Sequence, residues 1–181
     1  MHASFSASLW RWCPTGLLLV LACSPTFNWR EVRADSGTQS LSLLLPCKPD
    51  RAEKMVPLGG QPTPMSMIGC EAGSATFAVA VADLGEASQV AAVLAQWQTL
   101  TLGNMKADAA SVSSRPLKVA GASGEPAPVL VLAQGQRADG SMVQGQAAYF
   151  HSGRKVVQAV MYAPKIAPDA AETFFGSFKL D

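Results

Sequence analysis

The chain has 181 residues, with 14 Lys and Arg against 13 Asp and Glu, and 49% of its residues are hydrophobic. A charge so close to balance excludes a nucleic-acid-binding protein that relies on a basic field, and it gives no long-range attraction to anionic lipid. The length is typical of one domain with one hydrophobic core, so we expect a single folded unit.

The first stretch of the chain predicts export. An apolar run over residues 16–22 follows Arg11 and ends in residues that are compatible with cleavage after Ala22. Such a run of seven residues is too short to span a bilayer, which takes about 20 residues. We therefore expect residues 1–22 to be a signal peptide that the mature protein lacks.

Residues 20–23, Val-Leu-Ala-Cys, resemble the lipobox of bacterial lipoproteins. In that family the signal is cut just before the cysteine, which then carries the lipid, so the resemblance implies a lipid anchor at Cys23. An ordinary secretory cleavage after Ala22 would use the same residues, and this alternative stays open. With the anchor in place, Ser24 implies sorting to the outer membrane by resemblance to enterobacterial lipoproteins, and each buried CH₂ of the acyl chains contributes about 0.8 kcal/mol of membrane affinity.

Export also decides how the four cysteines are interpreted. Cys13 leaves with the signal peptide and Cys23 is the lipidation candidate, so Cys47 and Cys70 remain. In an oxidising periplasm these two are expected to form one disulfide. The alternatives are two buried free thiols, a redox pair or a metal site. The sequence has no Cys-x-x-Cys motif, and His151 is the only histidine of the mature chain, so we expect no metal and no cofactor.

The N-terminal half of the mature chain predicts strands. Residues 23–38 are expected to form a tether or an edge strand, with Phe27 and Trp29 packed onto the domain of residues 39–181. Alternation followed by an apolar run predicts a strand over residues 39–45 that ends at Pro46. A polar loop over residues 47–51 follows, then a short strand over 54–58 that is broken by a Gly- and Pro-rich segment, 59–64.

A β-hairpin and a long helix come next. Residues 65–70 and 76–82 flank a Glu-Ala-Gly-Ser turn, which predicts a hairpin with Phe77, Val79 and Val81 on its inner face. Residues 85–103 predict a helix that ends at Gly103, and residues 105–114 are expected to extend it or to form a surface loop. The apolar stripe of this helix comprises Val90, Val93, Leu94, Trp97, Leu100 and Thr101.

The last third of the chain predicts a meander and a short helix. Strands are expected over residues 128–134, 142–150 and 155–162, joined by an Asp-Gly turn at residues 138–141 and by a turn at 151–153. Asp169 and Glu172 have the spacing of a capping box, with the Asp side chain as the cap. The helix that follows is expected to dock its phenylalanines on the sheet: Phe174, Phe175 and Phe178.

These elements predict an α+β fold, an antiparallel sheet of a meander plus a hairpin with one long and one C-terminal helix packed on it. Their order, and the closing residues 172–180, ETFFGSFKL, resemble small bacterial envelope proteins with a Mog1/PsbP-like α/β fold and uncharacterised exported proteins of Gram-negative bacteria. The resemblance implies an antiparallel sheet with its helices against one face. Members of this fold generally act as accessory or binding proteins and share no catalytic set, so the resemblance carries over no functional residue.

The titratable residues do not suggest a catalytic centre. His151 is expected to be exposed in a Ser-Gly turn, and Ser152 lacks the Gly-x-Ser-x-Gly spacing of a nucleophile elbow. We therefore expect no catalytic residue; the alternative is a periplasmic enzyme whose site is assembled from His151 and scattered carboxylates. The carboxylates in question fall in predicted turns: Asp35, Asp50, Glu53 and Asp139.

Recognition is expected at loops 47–51 and 121–126, which lie at the ends of elements. The sequence thus predicts a non-catalytic accessory or binding protein of the cell envelope. Its expected partners are the membrane, through Cys23, and an envelope protein, but no nucleic acid. A structural envelope protein without a ligand is a third possibility. A cleft lined by His151 or converging carboxylates would indicate an enzyme, and an exposed apolar groove would indicate a protein or lipid partner.

Overall fold

The computed structural model describes residues 26–36 and 39–181. The predicted signal peptide and the lipidation candidate Cys23 therefore lie outside the described residues. The α-helices of these described residues are α1 (Val90–Asn104) and α2 (Pro168–Gly176). The strands are β1 (Arg30–Ser36), β2 (Gln39–Leu45), β3 (Asp50–Leu58), β4 (Gln61–Ala72), β5 (Ala75–Asp83), β6 (Ser113–Pro116), β7 (Val129–Gln136), β8 (Met142–Ser152), β9 (Lys155–Ala163) and β10 (Lys179–Leu180).

Seven of the strands form one antiparallel sheet in the order β3-β4-β5-β9-β8-β7-β6. The predicted hairpin is β4–β5 and the predicted meander is β7–β8–β9, so both predictions are confirmed. The remaining strands form a small antiparallel sheet in the order β1-β2-β10. The fold is therefore mixed α+β with mostly antiparallel pairing, as the sequence predicted.

The two faces of the large sheet carry separate cores. Phe77, Val79 and Val81 of β5 point to the face that the small sheet and α2 cover. Ala82 lies on the opposite face under α1, with Ala78 and Ala80 beside it, because successive side chains of a strand alternate between faces. The expectation that both helices lie against one face is wrong: β5 is apolar on both faces, and each face needs its own cover.

Helix α1 buries most of its predicted stripe. Trp97 and Val93 are buried against the sheet, as are Val90, Leu94 and Thr101. Leu100 is the exception, with 51% of its surface exposed, because at 100° per residue it lies on the flank of the stripe. Residues 105–114, expected as an extension of the helix or a loop, instead contain a 3₁₀ turn, Ala109–Ser111, and the start of β6.

A small polar network lies under α1. The amide nitrogen Nε2 of Gln158 donates to Oγ1 of Thr101 at 2.6 Å, and that hydroxyl donates to the carbonyl oxygen of Trp97 at 2.8 Å. The Tyr149 hydroxyl lies 3.5 Å from the same amide nitrogen. Burial raises the pKa of Tyr149 and raises that of Tyr162, also partly buried, to about 12, so both phenols stay protonated at neutral pH.

Helix α2 docks its phenylalanines as predicted. Phe174 meets Phe77 edge-on at 5.3 Å between ring centroids. Phe178 lies just after the helix and stacks on Phe150 at 5.5 Å. The capping-box prediction is wrong, because the helix begins at Pro168 and its N-cap residue makes no side-chain hydrogen bond. Proline at the first helical position has the required φ already, and Asp169 stabilises the first turn through the helix dipole instead.

The segment before β1 packs onto the domain, as expected. Phe27 and Trp29 are half-buried, and each ring meets Phe77 edge-on, at 6.3 and 6.1 Å between centroids. The start of β3 differs from the prediction, since pairing with β4 begins at Asp50. Only Gly59 and Gly60, both with positive φ, form the turn, so the segment 59–64 does not break the strand pair.

Candidate functional site

Cys47 and Cys70 form a disulfide with an S–S distance of 2.03 Å, which confirms the predicted pair. Cys47 lies two residues after the end of β2 in the small sheet, and Cys70 lies near the turn end of β4 in the large sheet. The bond therefore joins the two sheets covalently. It belongs to the scaffold, because it fixes how the small sheet sits over the large one.

His151 is buried, with only 5% of its surface exposed, and the expectation of an exposed turn residue is wrong. The turn consists of Gly153 and Arg154, and β8 continues through Ser152, so His151 lies inside the sheet opposite Val156. Its ring nitrogen Nδ1 is 2.9 Å from the carbonyl oxygen of Gly153. The other nitrogen, Nε2, is 2.8 Å from the carbonyl oxygen of Glu125. A backbone carbonyl oxygen therefore lies beside each ring nitrogen, and the nitrogen that carries the proton donates to its neighbour.

The Glu125 carbonyl belongs to a loop, residues 117–128, that joins β6 to β7. The loop closes on itself, because the Leu117 amide donates to the carbonyl of Pro128 at 3.0 Å. The amide of Ser123 donates to the backbone carbonyl of His151 at 2.7 Å, and the Leu180 amide donates to the carbonyl of Ala120 at 2.9 Å. Compact loops whose ends meet are frequent functional sites, and this one is held at both sides.

A surface groove of about 580 Å³ runs between loop 117–128 and the end of α2. Its apolar lining comes from the loop and from the chain just after the helix. Gly121 packs so closely on the Leu180 carbonyl, with φ +77°, that a Cβ there would collide with it. The loop backbone beside the groove is therefore packed tightly on the C-terminal strand. The apolar side chains of the lining are Leu117, Val119, Ala120, Ala122, Pro128 and Phe178.

Three of the acidic residues that the sequence singled out, Asp50, Glu53 and Asp139, do not meet His151. Asp139 lies in the β7–β8 turn and His151 near the other end of β8, eleven residues long, so a whole strand separates them. Asp50 and Glu53 lie on β3, four strand pairings away from β8. Asp35 is in β1, and its side chain is not part of what the structure describes. Within residues 26–36 and 39–181, no three His, Cys, Asp or Glu side chains are grouped so as to hold a metal ion.

Asp139 has a local role. The hydroxyl and the backbone amide of Ser141 both donate to its carboxylate, at 2.7 and 2.9 Å. These hydrogen bonds, with the hydroxyl as the largest contribution, lower the pKa of Asp139 below its ordinary value. The carboxylate thus stabilises the turn between β7 and β8 in its ionised form.

Sequence reasoning missed a second depression, at the opposite end of the sheet from loop 117–128. A cavity of about 630 Å³ lies between the β4–β5 turn and Arg137, with Glu71 and Pro164 in its lining. A neighbouring hollow of about 390 Å³ reaches Tyr162. These residues come from the ends of several elements far apart in the chain. No local signal in the sequence could have grouped them.

The fold and the groove define a mixed α+β domain with a fixed loop beside an apolar surface depression. Loop 121–126, where the sequence predicted recognition, forms one part of the wall of this groove. Loop 47–51, the other predicted recognition loop, lies at the disulfide and not at the groove. None of the described residues form a helix that is long and apolar enough to cross a membrane. Comparison with protein-family models finds no match, and comparison with curated protein sequences finds none either.

Proposed function

We propose that the chain is a non-catalytic accessory or binding protein of the bacterial cell envelope, exported behind residues 1–22 and anchored to the outer membrane by a lipid on Cys23. We also propose that its fold is of the Mog1/PsbP-like kind. The observation that carries the binding role is the apolar groove beside loop 117–128, because an exposed apolar depression is typical of a site for an apolar partner.

The geometry of the groove supports binding. Leu117, Val119 and Ala122 are only partly buried, so an apolar ligand would remove further apolar surface from water. The loop is already held by His151 and by the Leu180 amide. A ligand therefore does not have to order it, and this preorganisation favours affinity.

The disulfide supports the exported location. Bonds of this kind persist in oxidising compartments such as the periplasm and are rare in the cytosol, and Cys47 and Cys70 are bonded. The placement of His151 favours binding over the enzyme alternative, since a backbone carbonyl oxygen lies beside each of its ring nitrogens. A general base needs a nitrogen within reach of its substrate.

A fluorescent probe of apolar sites, 1-anilinonaphthalene-8-sulfonate, tests the groove. We expect the native protein to bind it and Val119→Asp to weaken binding by roughly tenfold or more, because a carboxylate in an apolar site is costly to desolvate. Leu100→Asp is the matched control, since Leu100 is an exposed apolar residue of α1 on another surface. No binding by the native protein, or equal weakening by both variants, would contradict the proposal.

Mass spectrometry of the mature protein tests its location. We expect a chain that begins at an acylated Cys23. A chain beginning at an unmodified Cys23 would replace the lipid anchor with plain secretion, and a chain that retains Met1 would remove export altogether. The groove experiment is independent of this result, so the two parts of the proposal can fail separately.

A further inference from the structure

Strand β3 forms a long, open edge of the large sheet. It is nine residues long and pairs on one side with β4, and among the described strands it is the last in the sheet on that side. Residues 50–55 are all exposed, and Met55 exposes 63% of its surface. The outer edge of such a strand presents backbone N–H and C=O groups that can pair with another strand.

The other strand edges offer less. Strand β6 has four residues and ends in Pro116, and β10 has two residues. On the outer edge of the small sheet, a guanidinium nitrogen of Arg51 already donates to the Arg33 carbonyl at 3.0 Å. Among the described strands, β3 is therefore the longest edge for pairing, and Pro57 near its end is a residue that sheets place at edges.

The charges of β3 are arranged symmetrically about Ala52. An acid, Asp50, lies two residues before it and a base, Lys54, two residues after it. A base, Arg51, lies one residue before it and an acid, Glu53, one residue after it. In an antiparallel pair of two identical strands with Ala52 opposite Ala52, every one of these charges faces an opposite charge.

We propose that this edge pairs with β3 of a second copy of the chain, forming a two-fold symmetric dimer with Ala52 on the axis. Asp50 of each copy faces Lys54 of the other, and Arg51 faces Glu53, which gives four cross-strand ion pairs in a continuous sheet of fourteen strands, twice the seven of one copy. The bond from Arg51 to Arg33 leaves other N–H groups of that guanidinium for the partner.

The charges also favour this register over the registers that are shifted by one or two residues. Sliding the partner by one residue in one direction places Asp50 opposite Glu53. The opposite slide places Arg51 opposite Lys54. Like charges directly opposite one another destabilise a strand pair. Two-residue slides place Arg51 or Glu53 opposite its own copy, with the same effect. The surface therefore recognises a strand of its own sequence in one alignment.

Charge reversal tests the proposal on the full-length exported protein, extracted from the envelope in nonionic detergent and followed by sedimentation velocity. We expect the native protein to dimerise, and Lys54→Glu and Asp50→Lys each to weaken dimerisation by about tenfold or more, because each variant places two like-charge pairs across the interface. Lys165→Glu, an exposed lysine after β9, is the matched control and should dimerise like the native protein. Circular dichroism verifies that all variants are folded.

Mixing the variants supplies the decisive result. A Lys54→Glu chain and an Asp50→Lys chain have complementary charges at both positions. The mixture should therefore form a heterodimer at a concentration at which each variant alone is monomeric. The double variant should also recover dimerisation. A monomeric native protein, dimers that survive both reversals, or a mixture that stays monomeric would each overturn the proposal. The groove proposed above does not depend on any of these outcomes.

A cysteine at the axis gives an independent readout in the intact envelope. Directly opposite residues of paired antiparallel strands have Cβ atoms about 5 Å apart, so Ala52→Cys should form a covalent dimer on oxidation or with a short bis-maleimide. Lys54→Cys is the control, because its two copies would be four residues out of register, about 13 Å apart. Equal cross-linking of the two variants would refute pairing about Ala52.

Discussion

The disulfide between Cys47 and Cys70 should contribute a large part of the stability of the domain. The bonded residues are 23 positions apart. For a loop of that length, the chain-entropy model gives a stabilisation of about 3.4 kcal/mol at 25 °C, through restriction of the unfolded chain. We therefore expect the double replacement Cys47→Ser with Cys70→Ser to lower the free energy of unfolding by about 3 kcal/mol. Both cysteines are half-buried, so the serine hydroxyls add little to this cost.

Urea unfolding followed by tryptophan fluorescence measures the effect. At a slope of about 2 kcal/mol per molar urea, a loss of 3 kcal/mol lowers the midpoint by about 1.5 M. Trp97 reports on the core under α1 and Trp29 on the core under the small sheet. A Trp29→Phe background therefore allows the Trp97 signal to be measured without that of Trp29. The signals of the two tryptophans should show the same urea midpoint if the domain unfolds as one unit.

The native protein with its disulfide reduced is the control. Its midpoint should agree with that of the double variant, because both chains lack the same constraint. A midpoint that falls by less than about 0.5 M in both would refute the loop-entropy reasoning. Loss of the Trp29 signal well before that of Trp97 would show that the bond holds the small sheet on the large one and does not act on the unfolded state alone.

Three further predictions concern single side chains. Burial raises the pKa of Tyr162 from 10.0 to about 12, so the folded state holds this proton more tightly than the unfolded state. The contribution of this group to the free energy of unfolding should be fully present below pH 10 and should fall by about 2 kcal/mol by pH 11.5. Tyr162→Phe should remove that part of the loss in urea titrations. Gly135→Ala should lower the free energy of unfolding by about 1–3 kcal/mol, since its Cβ would collide with the Met105 carbonyl. Gly103→Ala is the control: a Cβ there lies in open space on α1, so thermal unfolding should show no destabilisation of the protein. His151→Ala removes the ring that contacts the Glu125 carbonyl oxygen, so amide exchange in loop 117–128 should accelerate while exchange in α1 stays unchanged. Equal acceleration in both would contradict a local role.

Much of the secondary structure could be predicted from the sequence because it depends on residues close together in the chain. The Asp-Gly turn and the alternating strands beside it predicted the meander, and the helical spacing of the phenylalanines predicted α2. The disulfide could also be predicted, since only Cys47 and Cys70 remained once export was assumed. These inferences need periodicity and composition, and no knowledge of which strands become neighbours.

The candidate site could be predicted only in part. Residues 121–126 were recognised as a loop, but the groove also requires Phe178, which the bridge between Ala120 and Lys179 brings beside that loop. Likewise His151 was expected in a turn, and it became buried because β8 and β9 continue their pairing to Ser152 and Lys155. Such outcomes depend on contacts between residues distant in the sequence.

The sequence alone determined most of the strands and both helices, and it identified Cys47 and Cys70 as the expected disulfide. The tertiary structure decided that the helices cover opposite faces, that His151 holds a loop, and that β3 is an open edge. The physical reason is that alternation of apolar and polar residues identifies a strand and its two faces. It does not identify which element covers each face or which strand lies beside it. That choice follows from packing the whole chain, where each apolar face must find its own cover.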